Sequence, residues 1–132
     1  MSNFFNAPFV VDGQRYQTME HFFQSQKTLD PIEAARIRIA SGPGEAKRLG
    51  RKIELRKDWE SIKLDVMRRG VKAKFDQNEQ LRVRLLETGD QELQEGNYWH
   101  DLYWGIDEET GCGENWLGKI LMEIREQYRS GK

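Results

Sequence analysis

The sequence predicts a mainly α fold, a multihelical domain with a short N-terminal β-hairpin and minor β elements. Three observations carry this expectation. Helix-capping residues recur at Thr18, Asp30-Pro31, Asp58 and Asn78, each ahead of apolar residues at helical spacing. The last stretch places Leu117, Ile120, Leu121, Ile124 and Tyr128 at i, i+3, i+4, i+7 and i+11, the clearest amphipathic pattern in the chain. Near the start, Asp12-Gly13 separates Phe9–Val11 from Gln14–Tyr16, a strong hairpin signal because glycine tolerates positive φ.

The elements follow in order. The hairpin is too short to stand alone and must lean on the rest of the fold. Thr18 caps a helix to about Thr28, with Met19, Phe22, Phe23 and Gln26 as its inner stripe. Asp30 caps the next helix, with Pro31 at its first position, to about Ala40. Ile32, Ala35 and Ile39 are its expected inner face, and Ser41-Gly42-Pro43-Gly44 ends it. A short helix over about 44–50 follows. Asp58 then caps a long helix to about Asp76, with Trp59, Ile62, Val66 and Ala73 on one face. Asn78 caps another through about Glu87, with Leu81 and Leu85 inward. Residues 96–113 read as irregular, rich in glycine and aromatics, before the final helix over about 114–129.

The chain has 132 residues and contains no repeat, low-complexity stretch or Pro/Gly/Ser linker, so one domain spanning 1–132 is expected. Aromatics at 11%, four of them Trp, set the chain apart from a disordered composition. A net charge of −1 argues against a protein that lives mainly by neutralising nucleic-acid backbone. One cysteine excludes a disulfide framework. No apolar run approaches the roughly 20 residues that span a bilayer, and MSNFFNAPF lacks the basic and apolar regions of a signal peptide. The expected location is cytoplasmic, with no membrane partner. Charge is nonetheless uneven. Residues 36–57 hold eight Arg or Lys against Glu45 and Glu54, and residues 87–114 hold nine acidic residues with no Lys or Arg. This fits either a site with an anion-binding wall and a carboxylate wall, or two solvated faces of opposite sign.

Three segments could carry chemistry. In Thr18–Lys27, helical spacing aligns Glu20, Gln24 and Lys27 beside the apolar stripe. Glu20 falls in the first turn, where the helix dipole favours a carboxylate. This is either ordinary helix charge placement or, because Phe22 and Phe23 flank it, a partly buried functional acid. Tyr98–Gly105 holds Tyr98, Trp99, Tyr103 and Trp104 together with His100 and Asp101 in one short segment, a composition that suits stacking on a flat heterocycle or pinning a loop to the core. Gly111–Lys119 opens the last helix, where unpaired N–H groups favour anions. Its Gly113-to-Lys119 spacing resembles part of a P-loop, but Ile120 stands where magnesium needs Ser or Thr, so an NTPase is rejected. Cys112 with His21 or His100 matches no metal signature, and a lone thiol is more often inert than nucleophilic.

Taken together, these pieces resemble the NADAR family of small N-glycosidases, also called YbiA-like. The matching stretches are Ser2-Asn3-Phe4, Pro8-Phe9, Val11-Asp12-Gly13 and Thr18-x-Glu20-His21-x-Phe23-Gln24-x-Gln26-Lys27. Ala46-Lys47-x-Leu49-Gly50-Arg51, Arg56-x-Asp58-Trp59-Glu60-x-x-Lys63, Val66-Met67-Arg68, Lys72-Ala73-Lys74-Phe75 and Leu85-Leu86-x-Thr88-Gly89 follow in order. Asp101-x-x-Trp104-Gly105 and Gly113-x-Asn115-x-Leu117-Gly118-Lys119-x-Leu121-Met122 complete the match. Family members usually carry a further strand ahead of the Ser-Asn-Phe segment, which here begins at residue 2.

The resemblance implies a mainly helical YbiA-like fold and hydrolysis of a ribose C1–N bond without metal or other cofactor. Two substrate classes are attributed to the family. One is the phosphoribosylamino-pyrimidine and -uracil intermediates of riboflavin synthesis. The other is ADP-ribose on guanine in nucleic acid, where some members act as antitoxin to a DNA ADP-ribosyltransferase. The family's catalytic Glu falls on Glu20, its second carboxylate on Asp101 and its site Trp on Trp59. Such cleavage passes through an oxocarbenium-like state, which a carboxylate can stabilise while orienting or deprotonating water. Glu20 is the expected essential carboxylate, with Asp101 holding ribose hydroxyls or protonating the leaving nitrogen. Trp59 or Trp104 would stack on the base. Lys27 and Arg51, with backbone N–H groups near Gly113 and Asn115, would take phosphate. Asn3 and Asn115 would bond sugar or base edges, and the same motifs bring Phe4 and Gly105 to the site. Two other readings stay open: a non-catalytic module that binds ADP-ribose or nucleotides, and a partner that neutralises a toxin by contact.

Overall fold

A computed structural model describes residues 7–91, 96–97, 106–107 and 116–131. Among them are six helices and four short strands. The elements are β1 (Phe9–Val11), β2 (Gln14–Tyr16), α1 (Met19–Ser25), α2 (Pro31–Arg38), α3 (Pro43–Gly50), α4 (Trp59–Asp76), α5 (Glu79–Glu87), β3 (Gly96–Asn97), β4 (Ile106–Asp107) and α6 (Trp116–Arg129). The mainly helical expectation and the N-terminal hairpin hold. Residues divide into two compact units, Ser2–Asn78 and Glu79–Lys132.

In the first unit, Asp12 (φ 52°) and Gly13 (φ 80°) both take positive φ, the turn the sequence signals. The register pairs Val11 with Gln14, Val10 with Arg15 and Phe9 with Tyr16. Val10 therefore points its N–H and C=O away from β2. Gln77 receives both: Val10 N donates to its Oε1 and its Nε2 donates to Val10 O, each at 2.7 Å. Asn78 donates to Pro8 O as well as to Lys74 O. The end of α4 thus holds the hairpin. Below it, Phe9, Tyr16 and Phe22 meet with ring centroids 5.1–5.9 Å apart.

The helix α1 packs against α2, α3 and α4. Its crossing with α4 is close because residue 70 has no side chain. A Cβ there would lie 2.6 Å from Phe22 Cδ2 and 2.7 Å from Met19 Cε and Sδ. Gly70→Val is expected to destabilise the fold by about 1–3 kcal/mol through overpacking, read as a lower denaturant midpoint at unchanged m-value.

One cap differs from expectation. Asp58 precedes α4 but its side chain makes no cap bond. Its carboxylate instead pairs with Arg56, at 2.6 Å from Nε, which holds it below the usual carboxylate range. The inner face of α2 is also corrected. Ile32 and Ile39 are 68% and 74% exposed, and Ile37 is buried at 1%. Ile37 and Ala40 pack with Ala46, Leu49 and Ile53, so the position of α3 selects the buried side.

In the second unit, α5 packs against α6. Leu81 and Leu85 are buried, as are Leu117, Ile120, Leu121 and Ile124. Tyr128 is half-buried. Arg125, itself buried, donates to Thr88 Oγ1 at 2.7 Å. Exposed Asp90 accepts from Arg129, whose hydrogen bond lowers the carboxyl pKa. Within the stretch expected to be irregular, β3 and β4 pair in parallel.

Candidate active site

The candidate site grows from the first turn of α1. Thr18, with extended backbone, caps the helix by accepting from His21 N. The His21 ring is fully buried between Thr18 Oγ1, 2.8 Å from Nδ1, and Ala40 O, 3.0 Å from Nε2. A carbonyl only accepts, so Nε2 carries the proton and donates to Ala40. Nδ1 is engaged by the Thr18 hydroxyl. With both nitrogens engaged, His21 fixes α1 against the end of α2 and is unsuited to serve as a catalytic base for a thiol.

This anchoring sets Glu20. The residue is half-buried at the N-terminal end of α1. Gln24, one turn on and 4% exposed, donates from Nε2 to Glu20 Oε1 at 2.8 Å. The amide nitrogen is the donor of this bond and faces the carboxylate oxygen. Gln24 Oε1 therefore turns the other way. It is a buried oxygen with no hydrogen-bond partner among the described residues. It lies over the bare Cα of Gly50, where an added Cβ would come within 2.0 Å of it.

The other end of α1 holds an aromatic-cationic group. Phe23 meets Trp59 edge-on with centroids 5.0 Å apart. Lys27 Nζ sits 5.7 Å from the Phe23 ring centre. Arg56 N donates to Lys27 O at 2.8 Å, which hooks the segment before α4 onto the end of α1. Trp59 is 5% exposed, so it is a wall of the core with little open ring face. Arg51 follows Gly50 as the C-cap of α3 and is exposed.

Of the expected site residues, Glu20 stands at the N-terminal end of α1, Lys27 and Trp59 adjoin Phe23 towards its other end, and Arg51 is the exposed C-cap of α3. Asn3, Phe4, Asp101, Trp104, Gly105, Gly113 and Asn115 lie outside the described residues. Among the described residues, no group of three or more His, Cys, Asp or Glu could hold a metal ion, and no helix is long and apolar enough to cross a membrane. The sequence spacing put Gln24 on the Glu20 stripe but gave it no role, and it placed Gln26 inward instead. In the structure Gln26 is the half-buried C-cap of α1, while His21, Gln24 and Ser25 are buried.

Known proteins resemble this chain over most of its length. N-glycosidase YbiA of Escherichia coli (strain K12) is 48% identical over 128 residues, 96% of this chain and 79% of that protein. N-glycosidase Npun_R5314 of Nostoc punctiforme is 38% identical over 134 residues, 98% of this chain and 85% of that protein. Riboflavin biosynthesis protein VVA0006 of Vibrio vulnificus is 39% identical over 131 residues, 98% of this chain but 35% of that longer protein. The NMR structure of E. coli YbiA superimposes with a TM-score of 0.88 at 45% identity, covering 98% of this chain and 77% of that one. The NADAR domain pattern matches residues 1–129, and the chain belongs to the NADAR domain family.

Proposed function

We propose that the chain is an N-glycosidase that hydrolyses a ribose C1–N bond, with Glu20 as its essential carboxylate. The observation that carries this reading is the half-buried Glu20 at the start of α1, its Oε1 bonded by the Gln24 amide. Two similar proteins bear the name N-glycosidase. In the proposed step the C1–N bond breaks and its electron pair leaves with the nitrogen. Positive charge develops on the sugar ring, where a fixed carboxylate is the complementary group. Water adds to C1, Glu20 takes its proton, and the leaving nitrogen is protonated. Asp101 is the proposed donor of that proton or holder of the ribose hydroxyls. Lys27 and Arg51 are the proposed phosphate partners and Trp104 the base-stacking ring. Trp59 contributes from the wall beside Phe23.

For the substrate, we favour a phosphoribosylamino-pyrimidine or -uracil of riboflavin synthesis, supported by the similarity to riboflavin biosynthesis protein VVA0006. Removal of ADP-ribose from guanine in nucleic acid, as antitoxin to a cognate ADP-ribosyltransferase, is the second reading. The exposed Arg36, Arg48, Arg51, Lys52 and Lys57 of the basic segment favour it, since they could meet a strand's phosphates. Side-by-side turnover of a phosphoribosylamino-uracil and a guanine-ADP-ribosylated oligonucleotide tests both. Release of ribose phosphate alone is the expected result. Release of ADP-ribose alone moves the assignment to nucleic acid. No release from either, with ADP-ribose bound, makes this a binding module.

A further inference from the structure

Among the described residues, the Gln24 side chain is an unusual use of buried space. It is buried, and its Oε1 has no donor among the described residues. A buried acceptor without a partner loses its bond to water and gains nothing in return. Methionine has nearly the same length and would fill the space without an orphan oxygen. The amide is therefore explained by its other end, the N–H that meets Glu20 Oε1 at 2.8 Å. We propose that Gln24 is a positioning residue for the Glu20 carboxylate, held against it by the side-chain-free backbone of Gly50. This rests on Glu20 being the essential carboxylate.

The geometry makes it a two-part device. Glu20 and Gln24 are one turn apart on α1, so their own helix brings them together. The direction of the amide is set from outside, by α3. At Gly50 the nearest atoms to a built Cβ all belong to Gln24: Oε1 at 2.0 Å, Cδ at 2.8 Å and Cβ at 3.1 Å. Any larger residue at 50 displaces the amide from its present place. The amide bonds one oxygen of Glu20, leaving the lone pairs of Oε2 for water or for the sugar cation. A carboxylate anchored in this way meets the developing charge without first reorganising, which is where fixed groups gain over solvated ones.

A structural glutamine and a positioning glutamine predict opposite things for Gln24→Met. If Gln24 serves only packing, stability and activity stay together. If it positions Glu20, the orphan oxygen goes and the carboxylate loosens. On whichever of the two substrates the wild type turns over, we expect Gln24→Met to lower kcat by roughly 10²-fold. KM should stay within about twofold and Tm should be equal to or above that of the wild type. Gly50→Ala should lower kcat similarly, and the Gln24→Ala/Gly50→Ala pair should be no slower than Gln24→Ala alone, because both act through one contact. Wild-type kcat in Gln24→Met beside an inactive Glu20→Gln overturns the positioning role and leaves Glu20 standing. Loss of kcat in step with loss of Tm also overturns it, as does additivity of the two alanine substitutions for the Gly50 part. Full activity of Glu20→Gln, or no turnover of either substrate by wild type, overturns the reading on which the inference rests.

Discussion

Glu20→Gln is expected to lower kcat by about 10²–10⁴-fold, the usual range for removing a positioned acid–base group. The substitution preserves length and shape and removes only the charge and the ability to take a proton. Fold stability should move little, because the carbonyl of the introduced amide can still accept from Gln24 Nε2, which now lies 2.8 Å from Glu20 Oε1. A change within about 0.5 kcal/mol is the expectation for a substitution that breaks no packing. KM should also be nearly unchanged, since the carboxylate is proposed to act on charge that arises only in the transition state. The variant would then hold substrate without cleaving it. Steady-state kinetics and thermal unfolding on the same preparation check all three. A fully active variant would remove Glu20 from the mechanism.

Phe22→Ala should have the largest effect on stability. Phe22 is fully buried, and its ring meets Phe9 at 5.8 Å and Tyr16 at 5.1 Å. It also fills the space left by Gly70. Truncating a buried Phe costs about 3–5 kcal/mol in lost transfer energy and cavity. That is a large part of the roughly 5–15 kcal/mol that separates a folded domain from its unfolded chain. Because the ring joins the hairpin to α1, hydrogen exchange at the β1–β2 amides should accelerate together with the lowered denaturant midpoint. Unchanged exchange there would mean that the hairpin is held by Gln77, Asn78 and the remaining rings alone.

What was legible in the sequence was local. Asp12-Gly13 specifies its turn through the backbone freedom of two residues. Thr18 and Asp30 cap through bonds to amides two or three residues on. The α6 stripe repeats often enough that its inner face is unambiguous. By contrast, α2 is only eight residues long, with isoleucines at 32, 37 and 39. Two faces of such a helix are comparably apolar, and the neighbouring α3 decides between them. Asp58 shows a second limit. A cap residue beside an arginine has two partners within reach, and here Arg56 wins. At the candidate site, the partial burial of Glu20 was readable because its first-turn position and flanking phenylalanines sit within one short segment, whereas its catalytic role came only from the family resemblance. The role of Gln24 was not readable, because it depends on a glycine on another helix. No periodicity within α1 reports what crosses over it.

The bond between Gln77 and Val10 has a consequence for the molecule in a crowded solution. A hairpin of three-residue strands ends in an open edge, and here that edge carries an exposed β-branched valine. Such an edge is a template on which a foreign strand can add. One side-chain amide imitates that strand in advance, matching both the donor and the acceptor of Val10. The β1 edge is thereby closed at Val10 by a single residue, which leaves no free donor or acceptor there for a second molecule to extend.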